Sequence, residues 1–226
     1  MSNLTLKINI SKTREDLGLK VELNTKFKND TCHFENEYFL IVLDGIILNK
    51  NDFLISKKAI VILISHMGRP KGKTDQNLSL GKIKNSIELI LKYKILLINI
   101  KENDEIIHNS ISDIKSNQII MFENIRFNPE EETYSDKFSK YLSSFGDIYI
   151  NDAFAVSHRN HSSITGIPKF IPSFMGFMMY KEYTSISNLS SQLGNNSICI
   201  FGGVKISDKI QILNNFIGKV KYIAIG

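Results

Sequence analysis

Apolar residues along this chain fall into short continuous runs, separated by stretches with helical spacing. AIVILIS (59–65) is rich in β-branched residues, the signature of a strand buried on both faces. LSLGKIKNSIELILKY (78–93) sets Ile83, Ile87, Leu89, Ile90 and Leu91 near helical spacing. A strand at ILLINI (95–100), a polar helical segment near 103–116 and a strand at QIIMFE (118–123) follow. YSDKFSKYLSSF (134–145) then reads as a helix and DIYIND (147–152) as a strand. Strands alternating with helices predict right-handed βαβ units, a mostly parallel sheet and an α/β fold. GIPKFIPSFMGF (166–177) holds two of the four prolines and two glycines, and predicts an extended linker. MMYKEYTSISNLSSQL predicts a helix after it. A second strand–loop–helix–strand closes the sequence, with strands at 197–202 and 220–225. Two strands do not make an independent core, so this segment reads as the first βαβ portion of a second α/β domain.

Composition narrows the field. Of 226 residues, 42% are hydrophobic, enough for one substantial core or two modest ones, and 23% are charged, which argues against disorder. A net charge of +5 favours an anionic partner, whether a phosphorylated metabolite, a nucleic acid or an acidic lipid. No basic–aromatic stripe or nucleic-acid motif is present, so nucleic acid is not an expected partner. Cys32 and Cys199 are far apart and lack CxxC spacing, which predicts neither a disulfide framework nor zinc and makes a reducing cytoplasm the expected location. The opening MSNLTLKINISKTRED lacks the apolar core of a signal peptide. Asp44 interrupts the longest apolar run, FLIVLDGIIL, well short of the roughly 20 residues of a membrane span, so no membrane partner is expected.

In open α/β sheets, ligands bind at the carboxyl ends of strands. His66, Arg69 and Lys71 follow the strand AIVILIS, Asn124 and Arg126 follow QIIMFE, and His158, Arg159 and His161 follow DIYIND. Guanidinium groups recognise phosphate and carboxylate through planar bidentate hydrogen bonds, so a small phosphorylated acid is a natural guest. The plainer alternative is that each arginine caps a helix or pairs with a surface carboxylate. Gly202-Gly203-Val204-Lys205 follows the strand SICIF and opens a helix, where glycine permits a phosphate to approach the backbone. Lys205 and Lys209 stand at i and i+4, so both ammonium groups can share one face; a turn followed by a solvated helix is the plainer reading.

Four segments, SHMGRPKG (65–72), FENIRFNPEEE (122–132), NDAFAVSHRNHSS (151–163) and GGVKISDKIQ (202–211), resemble the motifs of the phosphoglycerate kinase family in order and at compatible separations. The resemblance covers roughly residues 17–226. It implies a Rossmann-like parallel sheet flanked by helices, followed by the start of a nucleotide-binding α/β domain. The implied division is a phosphoglycerate-binding domain at 1–176, an interdomain helix at 177–193 and an incomplete nucleotide-binding domain at 194–226. It also implies reversible phosphoryl transfer between 1,3-bisphosphoglycerate and ADP, giving 3-phosphoglycerate and ATP, by a glycolytic enzyme that is usually monomeric and uses Mg2+ with the nucleotide. Glu22, Asn24, His66, Arg69, Arg126 and Arg159 match the family's substrate-binding residues. Lys205 and Lys209 match the lysines at the transferring phosphoryl group, and Gly203, Val204 and Lys205 match the start of the nucleotide site. No metal ligand is assigned.

There are departures. The family's early Arg-Val-Asp motif is represented by Lys20-Val21-Glu22-Leu23-Asn24, the arginine expected about a dozen residues later falls near Glu37 or Tyr38, and Gly45 interrupts the helix expected there. The family's remaining C-terminal domain has no counterpart after Gly226. The resemblance therefore implies a chain that is weakly active or inactive alone. The alternatives are a remnant that binds phosphoglycerate or another anion without turnover, and one half of a split enzyme whose C-terminal half is a separate polypeptide.

Overall fold

The computed structural model describes residues 9–10, 19–20, 38–43, 54, 58–114, 118–194, 196–202 and 207–226. The chain divides into two compact units, Met1–Tyr180 and Lys181–Gly226.

The first unit is built on a six-stranded sheet of β3 (Tyr38–Leu43), β4 (Ile60–Ile64), β5 (Lys94–Ile98), β6 (Gln118–Phe122), β7 (Ile148–Asp152) and β8 (Ser173–Met175). All its pairings are parallel, in the order β5-β6-β4-β3-β7-β8. Alternate residues of the inner strands fill two cores. Leu40, Val42, Ile62, Ile64, Ile120, Phe122 and Tyr149 share one face with α2 (Asp104–Ser112) and with Leu142 of α4 (Asp136–Ser143), which follows the short α3 (Pro129–Thr133). Phe39, Ile41, Val61, Leu63, Ile119 and Met121 face Leu80, Ile87 and Leu91 of the α1 region (helix Gly81–Leu91). Burial on both faces explains why these strands are continuously apolar. A separate antiparallel pair joins β1 (Asn9–Ile10) to β2 (Leu19–Lys20).

Helix boundaries follow local chemistry. Asn103 accepts from Glu105 N at the start of α2, with Asp104 and Glu105 complementing the helix dipole. Before α4, Tyr134 turns to φ 62° and Ser135 accepts from Phe138 N, so the helix expected from residue 134 begins at Asp136. Glu123 caps the start of α1 from the end of β6, its Oε1 accepting from Leu80 N at 2.8 Å and its Oε2 from Ser79 Oγ at 2.6 Å.

Two expectations are corrected. The hydrophobic run beginning at Phe39 supplies β3 at the centre of the sheet, and residues 38–43 are strand rather than helix; Gly45 lies outside the described residues. The segment 166–177 is no simple linker. One turn of π-helix, Ser162–Gly166, passes into a 3-10 turn, Ile167–Lys169, and then into β8, which pairs with β7 as an edge strand. Pro172 is tolerated because it stands before the edge strand, where only its carbonyl is needed, accepting from Tyr149 N at 2.9 Å. Within α1, Ile87 and Leu91 are buried, but Leu89 and Ile90 face outward, since a single helical stripe cannot take all five apolar positions.

The second unit includes the parallel pair β9 (Ile198–Phe201) and β10 (Tyr222–Ile225), joined through α6 (Ser207–Phe216). The boundary between the units falls within α5 (Phe177–Ser191). Phe201 meets Phe216 of α6 edge to face, whereas Ile198, Ile200 and Tyr222 are exposed.

Candidate functional site

Strand order reverses its direction of growth around β3. From there the chain proceeds to β4, β5 and β6 on one side, then crosses to β7 and β8 on the other. This reversal leaves a crevice at the carboxyl ends of the central strands. A cavity of about 10 Å³ opens there, close to the room one water needs. Its lining draws on every side of the crevice: Val42 and Ile64 from β3 and β4, His66 after β4, Arg126 after β6, and Glu131, His161 and Ser163 beyond.

The loops around the crevice are tied to one another. Asn124, 1% exposed, donates through Nδ2 to Met67 O and Leu78 O, both at 2.8 Å, while its Oδ1 accepts from Arg126 N at 3.1 Å. Ile125 N donates to Ser65 O and Gly72 N to Arg126 O. Gly72 is needed for its backbone: it sits at φ +76°, and a Cβ would lie 2.9 Å from Pro129 Cα. The Arg126 guanidinium donates to Gly68 O at 3.0 Å and stands 3.4 Å from Glu132. The motifs following β4 and β6 therefore form one stitched structure.

A second tie fixes the segment after β7. Glu131, 2% exposed, accepts from Ser163 N at 2.9 Å and from Ser163 Oγ at 2.6 Å. Its Oε1 is 3.5 Å from His161 Nδ1. Ser162 Oγ donates to Glu130 O and accepts from Ser135 N. Tyr149 donates its hydroxyl to Ser163 O at 2.8 Å, and burial, aided by the nearby Glu131 charge, pushes that hydroxyl's pKa well above its ordinary value.

The residues proposed from sequence divide into three groups. Arg126 is buried and engaged with Gly68 and Glu132, so it spans loops much as the plainer alternative anticipated. Arg69 is exposed and Arg159 half-buried, on the loops after β4 and β7, the two neighbours of β3; among the described residues neither guanidinium takes a protein partner. His66 lines the cavity. Glu22, Asn24, Gly203, Val204 and Lys205 lie outside the described residues, and Lys209 is a residue of α6. Leu19–Lys20, whose Lys20 opens the segment matched to the family's early motif, pairs with β1 and not with the six-stranded sheet. Tyr38, beside the position matched to the expected arginine, opens β3 at its amino end, opposite the crevice, where its N–H donates to Asp147. Sequence reasoning missed Glu131, Ser163 and Glu123. The run of three glutamates at 130–132 reads as solvated surface, and only the sheet topology brings Glu131 to Ser163. Among the described residues, no cluster of three or more histidines, cysteines or acids stands ready for a metal, and no helix is long and apolar enough to cross a membrane.

The parallel sheet flanked by helices, with the Arg69 and Arg159 guanidinium groups on loops at its carboxyl edge, makes this an α/β protein with basic side chains at the crevice. Comparison with known proteins makes the assignment specific: a model of the family "Phosphoglycerate kinase" matches residues 47–226, and the chain belongs to that family. That match begins after Glu22 and Asn24. The phosphoglycerate kinase of Coprothermobacter proteolyticus is 39% identical over 175 residues, 77% of this chain and 44% of the relative. That of Pseudothermotoga lettingae is 31% identical over 226 residues, 100% of this chain and 55% of the relative. The solved phosphoglycerate kinase of Coxiella burnetii aligns with a TM-score of 0.70 at 26% identity, covering 87% of this chain and 53% of that one. The enzyme from Pyrococcus horikoshii, at 23% identity and a TM-score of 0.73, shares the fold. The chain thus spans about half the length of the relatives it matches.

Proposed function

We propose that this chain carries the phosphoglycerate-binding part of a cytoplasmic glycolytic phosphoglycerate kinase. The reaction is reversible phosphoryl transfer between 1,3-bisphosphoglycerate and ADP, giving 3-phosphoglycerate and ATP. The observation that carries the reading is the pair of unpaired guanidinium groups, Arg69 and Arg159, on the loops flanking β3, with His66 in the crevice between those strands. These groups suit the phosphate and carboxylate of phosphoglycerate through bidentate hydrogen bonds. Arg126 holds the loop that presents Arg69, and in this reading it also contacts phosphoglycerate. In this reading residues 1–176 bind phosphoglycerate, 177–193 form an interdomain helix and 194–226 begin the nucleotide domain. Gly203, Val204 and Lys205 meet the nucleotide phosphates, Lys205 and Lys209 face the phosphoryl group in transit, and Glu22 and Asn24 contact phosphoglycerate. Bound with the nucleotide, Mg2+ would supply charge neutralisation at the phosphoryl oxygens, beside Lys205 and Lys209. Titration calorimetry of the 226-residue chain with 3-phosphoglycerate, repeated with Arg159→Ala, tests the site. Binding lost in the variant is expected, and a parent chain that binds nothing at millimolar ligand overturns the reading.

A second reading is binding without turnover, for which the specific observation is the exposed apolar face of the β9–β10 pair. Transfer in line needs donor, acceptor and metal held together away from water. The exposed Ile198, Ile200 and Tyr222 on the β9–β10 pair fit a face that further α/β polypeptide, of this or a separate chain, covers in an active enzyme. Assay of the 226-residue polypeptide for MgATP-dependent phosphorylation of 3-phosphoglycerate distinguishes the two, and measurable turnover eliminates the second.

A further inference from the structure

A carboxylate buried beside a site for anions is an electrostatic liability unless something offsets it. Glu131 is such a group: it lines the crevice cavity, is 2% exposed, and takes two hydrogen bonds from Ser163, neither of which brings a compensating charge. His161 is the titratable neighbour whose Nδ1 lies 3.5 Å from Glu131 Oε1. The His161 side chain is 11% exposed and lines the same cavity, and among the described residues its Nε2 takes no protein partner. Neutral imidazole with its proton on Nδ1 presents a lone pair at Nε2, which repels an anion. Imidazolium presents a donor there, while Nδ1–H stays against Glu131.

We propose that Glu131 is a positioning residue of the anion site: it fixes the segment carrying Arg159, and it makes anion binding draw one proton from solvent onto His161. The proposal rests on the phosphoglycerate reading above for its ligand. The positioning half follows from connectivity. Arg159 lies between β7 and the Ser162–Ser163 pair, and that pair is held by Glu130 O and by the Glu131 carboxylate. The proton half follows from the charges around His161. Glu131 of α3 faces it, His66 after β4 and Arg126 after β6 share its cavity, and Tyr149 of β7 stays neutral because its hydroxyl is buried. An arriving anion adds negative charge beside Glu131, and His161 is the group placed to answer both.

The test is titration calorimetry with 3-phosphoglycerate from about pH 6 to about pH 9, in buffers of different ionisation enthalpy. The parent is expected to take up close to one proton per ligand on the alkaline side, its Kd rising by up to about tenfold per pH unit there. Glu131→Gln keeps an acceptor for Ser163 without the charge, and His161→Gln removes the proton site. Above about pH 7, where the ligand's own phosphate is ionised, both are expected to bind with no proton uptake and a flat Kd. Binding by the parent without proton uptake, or uptake that persists in His161→Gln and vanishes in His66→Gln, overturns the proton half while leaving the phosphoglycerate site standing. Amide exchange without ligand tests the positioning half separately. Glu131→Ala is expected to lose protection at Ser163 N–H, with the sheet amides of β4 and β6 unchanged, and Glu131→Gln to keep most of it. Retained protection in Glu131→Ala refutes positioning whatever the ligand does. A parent that binds no phosphoglycerate refutes the ligand reading and, with it, the proton half.

Discussion

Replacing Asn124 with alanine should uncouple the two loops that frame the crevice, and the cost can be worked from its bonds. The substitution removes two donors, to Met67 O and Leu78 O, and one acceptor, from Arg126 N. Met67 and Leu78 are only partly buried, so water can reach their carbonyls and each loss falls near the low end, about 1 kcal/mol. Arg126 is 4% exposed, so its orphaned N–H costs about 1–2 kcal/mol. The sum is about 3–4 kcal/mol, or a fall in Tm of about 6–16 °C for a unit of this size. Asn124→Asp is the sharper variant. It keeps an acceptor for Arg126 N but sets a carboxylate oxygen against two carbonyl oxygens, so it should be at least as damaging as alanine. Urea unfolding followed by circular dichroism reads both. A loss below about 1 kcal/mol for Asn124→Ala at unchanged m-value, or an aspartate variant milder than alanine, refutes the account of Asn124 as the tie between the loops.

Gly166→Ala should destabilise the chain by about 3 kcal/mol through overpacking, because its Cβ would fall 1.9 Å from Ser139 Oγ and 2.6 Å from Ser139 Cβ. Ser139→Gly in the same chain should recover part of that loss in urea unfolding, whereas Ser139→Ala, which keeps the Cβ, should not. Glu88 accepts from Ile95 N at 2.8 Å, and that bond, partly opposed by burial and helped by Lys94 and Lys84, holds its carboxyl below the ordinary value of 4.5. A lowered folded-state value contributes stability above 4.5 that disappears as pH falls through the folded value. Glu88→Gln should therefore flatten the dependence of the urea midpoint on pH below 4.5, and identical acid slopes in parent and variant contradict this.

The sheet was legible because its strands announce themselves twice, by continuous β-branched runs and by the helical spacing between them. What escaped was whatever depends on neighbours distant in sequence. β8 has three residues, Ser173–Met175, behind a proline, and becomes a strand only because β7 offers it an open edge. β3 was masked by its own hydrophobicity, which reads equally as a buried helix, until pairing with β4 and β7 decides the matter. The early motif match at residues 20–24 opens on Lys20, which pairs with β1 in a separate hairpin, and the rest of that motif lies outside the described residues.

That basic residues gather on the loops at the carboxyl ends of the strands was legible, but the different surroundings of each were not. Arginines at the carboxyl ends of three strands looked equivalent in sequence, yet the structure gives Arg126 to Gly68 and Glu132 and leaves the Arg69 and Arg159 guanidinium groups without protein partners. The difference comes from what surrounds each one. Asn124 draws the Arg126 backbone into the core, so its side chain must find acceptors indoors, and a carbonyl and a carboxylate are the ones in reach. Arg69 leaves the sheet through Gly68 at φ +64°, which turns the chain outward and leaves the guanidinium in solvent. The same reasoning applies to the acids. Three glutamates in sequence look interchangeable, but Glu131 faces the crevice and accepts from Ser163, while Glu132 lies beside Arg126 and Glu130 stays outside. A motif thus records which residue types a loop must contain. Burial and partner geometry decide which of them hold the loop and which are left to meet a ligand.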